Sequence, residues 1–367
     1  MTASDCLEIS VLGRGYGESI VLHVPALGWI VVDSFLTEAG SPAALEYIKS
    51  QGGDLDQVVG IVATHWHDDH IQGISDLLKN CRAAQFSLPI ALQGKQFRAI
   101  AYEAARVGTN ETSSGAAELL ASLRVIKGSD RVPNWVTEGQ IIHRTVFSLA
   151  GRAHRFELEA LSPSKKDVDA FLLHVAAQTL APSNDAFRIP EFTENDISMA
   201  AWGRISGQFF LLGADLEERK QADRGWNNVL ARLAPLGEQA GYYKIAHHGA
   251  KSGHSQRVWS ELCVTDPVAT IAPWTKGGKA IPTEADCRRI QALTSRAYVT
   301  TRNPLRKPQR MASVVEGKIR SMNAGLRAHP SEVGRITATL DVTPASPAWR
   351  VELHGRACEL GDYSPAA

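Results

Sequence analysis

The feature that most constrains this chain is a cluster of histidines and aspartates directly after a short apolar strand. Residues 58–63 are rich in β-branched side chains, which favour a buried strand, and the chain continues to His65, His67, Asp69 and His70. Imidazole and carboxylate groups are ligands that zinc, manganese and iron accept. A polar turn with solvated histidines is the alternative. The strand before the cluster and the helix predicted after it, over about residues 71–80, favour a metal-binding loop instead.

Two later strand ends supply the further ligands that a metal centre needs. Residues 209–214 are mostly apolar and end at Asp215, whose two carboxylate oxygens can bridge two cations. A helix N-cap is the other reading of this aspartate, because residues 216–236 are predicted to be broadly helical. Residues 242–246 form another strand, followed by His247 and His248. We expect one of the pair to be a ligand and prefer His248, although a buried structural pair is also possible.

Strands and helices alternate along the sequence in a way that predicts a two-sheet sandwich. Each half begins with strands joined by short turns and continues into strand–helix alternation. Two such halves predict an α/β fold in which two packed sheets carry helices on their outer faces. We predict one domain over residues 1–367, with an insertion near 165–192 and a C-terminal hairpin near 336–354.

Composition limits the partners and the compartment. The 367 residues carry a formal net charge of zero, so nucleic-acid binding would depend on a local basic patch. The five cysteines are scattered and form no C-x-x-C pair, which predicts reduced thiols and a cytoplasmic location. The N-terminal residues lack the pattern of a signal peptide, and no apolar run reaches the roughly 18 residues of a membrane span. The oligomeric state is not predictable from these features.

These motifs resemble those of the metallo-β-lactamase superfamily. The matching positions are Asp33 for the first motif, His65-x-His67-x-Asp69-His70 for the second, Asp215 for the fourth and His248 for the fifth. Within the superfamily the chain is most similar to ComEC-like hydrolases, on residues 15–19, 161–163, 195–198 and 244–252. The resemblance implies an αβ/βα sandwich of two mixed β-sheets flanked by helices, with two divalent ions, zinc or manganese, as cofactors.

The resemblance also assigns roles to individual residues. The implied metal ligands are His65, His67, Asp69, His70, Asp215 and His248, with His247 as the alternative to His248. Asp33 is expected to hold the histidine loop by hydrogen bonds without binding metal. Two departures stand out. The Gly-His-Pro of ComEC-like proteins is Ala280-Ile281-Pro282 here, and no clear third-motif histidine is present.

The missing third-motif ligand leaves the ion at His65 and His67 incompletely coordinated. His143 and His154 are nearby in sequence, but we interpret both as structural residues on strand faces. Asn195 is an alternative neighbour of the site. The remaining coordination position would otherwise be filled by water.

The expected reaction is hydrolysis by a metal-activated hydroxide. Paired divalent ions lower the pKa of a bound water towards neutrality, and Asp69 could orient that water. Lys244, Lys251 and His254 are candidates for protonating the leaving group. Lys244 could equally be a strand-edge lysine, and Lys251 a solvated loop charge.

Three substrate classes remain open. The first is the phosphodiester backbone of DNA, favoured by the subgroup resemblance and by a basic stretch over residues 302–327. We expect His254, Arg306 and Arg310 to contact such a substrate, although the stretch could be a solvated face. The second is a small lactone, thioester or nucleotide phosphodiester, with residues 165–192 as a lid. The third is a non-catalytic binding module.

Overall fold

Two mixed β-sheets face each other in the computed structural model and enclose an apolar layer. The described residues are 6–95, 97–99, 101–102, 111–149, 151–180, 194–304, 333–343 and 347–365. Arg306 and Arg310 lie outside these ranges, as do residues 181–192 of the predicted insertion. No helix of the described residues is long and apolar enough to cross a membrane.

The first sheet has eight strands among the described residues. They are β1 (Cys6–Gly13), β2 (Glu18–Val24), β3 (Gly28–Val32), β4 (Val58–Val62), β5 (Gln85–Pro89), β6 (Asn134–Val136), β16 (Gly334–Asp341) and β17 (Trp349–His354). Their spatial order is β17-β16-β1-β2-β3-β4-β5-β6. The strands from β3 to β6 pair in parallel and the others pair antiparallel. The two C-terminal strands therefore extend the edge that β1 begins.

The second sheet also has eight strands in the described part of the chain. They are β7 (Ile141–Leu149), β8 (Arg152–Ala160), β9 (Ala201–Ile205), β10 (Gln208–Leu212), β11 (Ala240–Lys244), β12 (Cys263–Ile271), β15 (Ala297–Val299) and β18 (Cys358–Glu359). Their order is β18-β15-β12-β11-β10-β9-β8-β7, with parallel pairing from β10 through β15. A separate two-stranded ribbon consists of β13 (Trp274–Lys276) and β14 (Lys279–Ile281).

Helices cover the outer face of each sheet, which confirms the predicted sandwich. They are α1 (Ala43–Ser50), α2 (Asp68–Ile71), α3 (Ile74–Asn80), α4 (Glu111–Gly128), α5 (Lys165–Leu180), α6 (Gly225–Leu233) and α7 (Glu284–Gln291). Leu77 of α3 and Leu119 of α4 belong to the apolar cluster outside the first sheet, and Trp226 of α6 to the one outside the second. A third cluster, including Phe210, fills the space between the sheets. Burial of these apolar surfaces is the main favourable term for this layering.

Two predicted helices differ from the structure at glycine positions. The helix expected over residues 71–80 is divided into α2 and α3, because Gly73 adopts φ +89°, which a helix interior does not accommodate. The broad helix expected over 216–236 begins only at Gly225. Glu218 instead forms an isolated β-bridge with Gly225, so the chain after Asp215 loops back before the helix starts.

The helix at the start of the predicted insertion packs beneath the histidine loop. Phe171 of α5 is buried against Trp66, with ring centroids 5.7 Å apart. Phe97 contacts both rings, at 4.9 Å from Trp66 and 5.6 Å from Phe171. Aromatic contacts of this kind add to the free energy of burial, so α5 supports the loop that carries His65 and His67.

Candidate metal centre

The histidine loop is anchored by Asp33, which lies at the end of β3. Its carboxylate accepts hydrogen bonds from the backbone N–H of Thr64 at 2.8 Å, the Thr64 hydroxyl at 2.7 Å and Nδ1 of His70 at 2.8 Å. Because His70 donates through Nδ1, its Nε2 is left to face the other polar residues of the site. Asp33 adopts φ +59°, a conformation that a non-glycine residue seldom takes without a structural demand. It therefore fixes both the loop and the tautomer of His70.

His65 and His67 present two ring nitrogens to the same point. Nε2 of His65 lies 2.9 Å from Nδ1 of His67. Nδ1 of His65 lies 2.9 Å from the Thr64 hydroxyl oxygen, which can accept a hydrogen bond from a protonated Nδ1, so that Nε2 keeps its lone pair. Burial lowers the pKa of His65 well below its usual value, with a further contribution from His70. The ring is therefore neutral, which is the state that binds a metal ion.

Asp69, His70 and His248 form a second cluster of donor atoms. Nε2 of His248 lies 3.1 Å from Oδ2 of Asp69, and Nε2 of His70 lies 3.5 Å from the same oxygen. The two Nε2 atoms are 3.3 Å apart. All three side chains are buried, and their donor atoms lie within 4.8 Å of one another. This spacing is suited to a single cation with metal–ligand distances of about 2.0–2.2 Å.

Asp215 lies between the two clusters. Its Oδ1 is 3.4 Å from Nε2 of His70, while its Oδ2 is 3.8 Å from Nε2 of His65 and 3.6 Å from Nε2 of His248. The N-cap alternative fails, because no helix begins at Asp215. Its backbone N–H instead donates to the hydroxyl of Ser198 at 2.9 Å. A carboxylate in this position can bridge two cations.

The buried carboxylates of Asp69 and Asp215 indicate which kind of ligand this set of donor atoms would bind. Oδ2 of Asp69 and Oδ1 of Asp215 are buried and receive no well-aligned hydrogen bond. Burial alone would raise the pKa of Asp215, but His248 and His70 hold it well below its usual value. Burial would also lower the pKa of His70, which Asp215 and Asp69 keep well above its usual value. Buried carboxylate oxygens among imidazole nitrogens fit divalent cations, and the clusters are consistent with a dinuclear site.

The two adjacent histidines after β11 have different surroundings. His248 is buried, and its Nδ1 donates to the carbonyl of Ala272 at 2.9 Å, which directs Nε2 to Asp69. His247 is half-buried, with Nε2 3.9 Å from Oδ2 of Asp215. The geometry therefore places His248 in the cluster with Asp69 and His70, and His247 on the side of Asp215 that faces the cavity.

A cavity of about 210 Å³ leads to these residues. Trp274 of β13 and Ile281 of β14 contribute its apolar wall. Ile281 stands where the ComEC-like pattern has a histidine, whereas no motif predicted Trp274. Tyr16 also lies near the entrance, because its hydroxyl donates to Oδ2 of Asp68 at 3.3 Å and its ring centroid is 6.4 Å from that of Trp274. The cavity is lined by His67, Asp68, Asp69, Asp215, His247, His248, Trp274 and Ile281.

Lys244 does not reach this cavity, which contradicts its predicted role as a proton donor. The side chain is fully buried, and its Nζ lies 2.7 Å from Oε2 of Glu18, which is also fully buried. Nζ also donates to the carbonyl of Ile245 at 3.1 Å. The same Glu18 oxygen lies 3.6 Å from Nδ1 of His248. Lys244 is therefore half of a buried ion pair behind the site, and neither the strand-edge reading nor the catalytic one describes it.

The other predicted site residues have mixed placements. Lys251 is exposed and His254 half-buried, and neither lines the described cavity. Asn195 does approach the site, with Nδ2 3.3 Å from Nε2 of His247. His143 and His154 are on strands, as interpreted from the sequence: a Cβ added at Gly60 would meet the His143 ring, and His154 hydrogen-bonds Ser206.

The fold and the buried histidine–aspartate site define a metal-dependent hydrolase of the metallo-β-lactamase fold. Residues 12–93 match the sequence profile described as the Metallo-beta-lactamase superfamily, and this span includes Asp33 and the histidine loop. The matched span is less than a quarter of the chain, and together with the architecture it shows the metallo-β-lactamase fold. Membership of the superfamily and the ComEC-like subgroup stay predictions.

Solved structures of low sequence identity are also similar to the chain. A metallo-beta-lactamase from Cronobacter sakazakii is 17% identical, with 64% of this chain and 73% of that chain covered and a TM-score of 0.33. A class B3 di-zinc metallo-beta-lactamase from an Alaskan soil metagenome is 13% identical, with 62% and 67% covered and a TM-score of 0.30. These values are too low to indicate a shared substrate. No curated protein matches the sequence.

Proposed function

We propose that this protein hydrolyses phosphodiester bonds in DNA with the help of two divalent metal ions. The observation that carries the proposal is the position of Asp215, between the His65 group and the Asp69–His70–His248 cluster at the floor of a cavity. When bound, a pair of divalent ions supplies a water of lowered pKa and stabilises negative charge on the attacked centre.

The protein residues supply positioning. Asp69 lines the cavity, so its carboxylate can accept a hydrogen bond from a water and orient it, while Asp33 and the carbonyl of Ala272 fix the rings of His70 and His248. Pre-oriented groups of this kind avoid reorganisation during the reaction. Lys251 and His254, the other proton donors predicted from the sequence, do not line the cavity, and we assign neither to this role.

Two features favour a nucleic-acid substrate. Trp274 is half-buried at the cavity wall, where its exposed face could stack on a base. The basic stretch over residues 302–327 contains Arg306 and Arg310, and cationic side chains of this kind bind a phosphate backbone. The resemblance to ComEC-like hydrolases agrees with both.

A small-molecule substrate is the second candidate. The cavity, of about 210 Å³, is smaller than the 300–1,000 Å³ that is typical of pockets for drug-sized ligands. A lactone, a thioester or a nucleotide phosphodiester would fit this volume better than double-stranded DNA. In the DNA proposal only the scissile phosphate and one flanking nucleotide need to enter.

Cleavage assays with metal-loaded protein separate the two candidates. We expect a supercoiled plasmid and a labelled oligonucleotide to be cut in manganese or zinc, and cutting to vanish in Asp69→Ala. Asp76→Ala is the matched control, because Asp76 is an exposed residue of α3 paired with Lys79. No cutting by the wild type, together with turnover of a lactone or thioester panel, would refute the DNA proposal and favour the alternative.

Charge reversal tests the basic stretch independently. Arg306→Glu with Arg310→Glu should weaken DNA binding and reduce its dependence on salt concentration. Arg350→Glu also replaces a positive charge with a negative one, at an exposed residue of β17, and serves as the control. Equal affinity of the Arg306/Arg310 variant and the wild type would remove this part of the case.

A further inference from the structure

The ion expected at His65 and His67 lacks a third histidine from the sequence motifs. His143 and His154 were the candidates, but His143 lies over Gly60 and His154 is held by Ser206 and stacks on Phe147. Neither lines the cavity. Water or Asn195 could complete this coordination sphere, but the described residues include a better donor.

We propose that His247 is that donor, so that the two adjacent histidines bind different ions. This assignment rests on the proposed two-ion site. His247 then completes a set formed by Nε2 of His65, Nδ1 of His67 and Oδ2 of Asp215. His248 completes the set formed by Asp69, His70 and Asp215.

Distances around Asp215 carry the first part of the argument. Oδ2 of Asp215 is 3.9 Å from Nε2 of His247 and 3.8 Å from Nε2 of His65. Two ligand atoms about 2.1 Å from one ion lie about 3.4 Å apart in tetrahedral geometry. A shift of a few tenths of an ångström at each side chain would therefore bring both rings onto one cation. His247 and His67 also line the same cavity wall.

The opposite nitrogen of His247 has the partners that a metal-binding histidine requires. Nδ1 lies 2.8 Å from the hydroxyl of Ser252 and 3.1 Å from Oε1 of Glu217. A proton on Nδ1 that is held by a carboxylate leaves the lone pair of Nε2 for a cation, and ligating histidines commonly have such a partner. Glu217 is in turn held by Arg219 at 3.1 Å.

The backbone is shaped to present both histidines. His247 and His248 adopt φ +47° and +52°, and Gly249 follows at +86°. Two consecutive non-glycine residues in the left-handed region are unfavourable unless the surroundings require them, and such strain clusters at functional sites. Without the left-handed turn, adjacent side chains of an extended segment would point to opposite sides.

Asn195 is the competing donor. Its Nδ2 lies 3.3 Å from Nε2 of His247 and 3.3 Å from Oε1 of Glu217, and its Oδ1 is buried without a hydrogen bond. We assign Asn195 to positioning: its amide holds Glu217, and Glu217 holds His247. If Asn195 were itself the ligand, removal of His247 would leave metal binding intact.

Metal binding by the intact chain tests the assignment without reference to activity. Metal-stripped protein is titrated with Zn²⁺, and bound metal is counted after desalting. We expect two tightly bound ions per wild-type chain and one in His247→Ala. His354→Ala, at a partly exposed residue of β17, should retain two. Retention of two ions with unchanged affinity in His247→Ala would overturn the proposal, and loss of an ion in Asn195→Ala alone would assign the position to Asn195.

Ring-nitrogen NMR of the wild type covers the case in which the variants fold poorly. Zn²⁺ should shift the Nε2 resonance of His247 together with that of His65, and the shift should persist in His248→Ala. If Zn²⁺ saturates the site without shifting His247, the assignment is wrong. A shifted His247 in protein that cuts no phosphodiester would refute the proposed function and leave the ligand assignment intact.

Discussion

Glu18 and Lys244 form an ion pair in the interior of the protein, with 2.7 Å between Oε2 and Nζ and no solvent exposure of either side chain. Neither oxygen of Glu18 receives a well-aligned hydrogen bond. The pair joins β2 of the first sheet to β11 of the second, directly behind His248. It therefore positions β11, which leads to His247 and His248, relative to the strands of the first sheet that lead to Asp33 and to the histidine loop.

Removing one member of this pair should destabilise the fold. Lys244→Met leaves a buried carboxylate without a partner, and Glu18→Leu leaves a buried ammonium, each at a cost of about 3–5 kcal/mol in the free energy of unfolding. The double variant Glu18→Leu/Lys244→Met should be less destabilised than either single one. Urea unfolding measures the free energy of unfolding of the wild type, both single variants and the double variant. If the two single losses add up to the loss in the double variant, the two charges do not interact.

The same double variant tests whether Lys244 donates a proton in catalysis. Because Lys244 does not line the cavity, we expect phosphodiesterase activity per bound metal to stay within about tenfold of the wild type, whereas loss of a general acid typically costs 10²–10⁴-fold. A fall of more than a hundredfold with both ions retained would restore the catalytic role.

Asp33 should control metal affinity without binding metal. Asp33→Asn keeps the shape of the side chain but weakens its acceptance from His70 and Thr64. Loss of such supporting groups lowers metal affinity by about 10–100-fold. Competition with a chelator measures this change. Asp76→Asn provides the exposed control, and equal affinities of the wild type and Asp33→Asn would contradict the anchoring role.

His143 should make the protein sensitive to acid. Burial lowers its pKa to about 4 in the folded state, and Nε2 has no hydrogen-bond partner, whereas the unfolded chain titrates near 6.5. The unfolded state therefore binds the proton first, and stability is lost as pH falls from about 6.5 to 4. At pH 5 this amounts to about 2 kcal/mol.

The variant His143→Gln removes that titration. We expect the difference in unfolding free energy between pH 7 and pH 5 to be smaller by about 2 kcal/mol than in the wild type, with both proteins metal-free so that the site contributes equally. Parallel pH profiles would show that His143 is not protonated on unfolding.

Trp274 should contribute to substrate binding and not to metal binding. If it stacks on a base, Trp274→Ala should weaken single-stranded DNA binding by about 1–3 kcal/mol and raise KM more than it lowers kcat. Trp274→Phe keeps an aromatic face and should recover most of the affinity. The idea fails if alanine and phenylalanine variants bind DNA equally, or if the bound metal is lost.

The two-sheet sandwich could be predicted because its signals are local. A short apolar segment before His65 or Asp215 indicates a buried strand with a polar residue after its end. Parallel strands bring the residues after their ends to the same edge of a sheet. The helix boundaries were less predictable. Gly73 stops a helix only because its φ is positive, and nothing in its neighbours specifies that angle.

Other features depended on contacts between distant segments. Lys244 lies in a motif that resembles a catalytic one, but its role is set by Glu18, which is more than 200 residues away in sequence. The left-handed backbone of His247 and His248 arises from the turn after β11, and Trp274 faces the cavity because of the β13–β14 ribbon. Residue type alone specifies neither.

The site draws its donors from both sheets: the loop after β4 belongs to the first, and the segments after β10 and β11 belong to the second. Neither half of the chain can assemble the cation pair by itself. Metal binding should therefore require the two sheets to be packed together, and bound ions would connect the first sheet to the second. Metal content would then report the fraction of molecules in which the sheets are correctly packed, and a chelator would remove this connection without removing the apolar layer that the two sheets share.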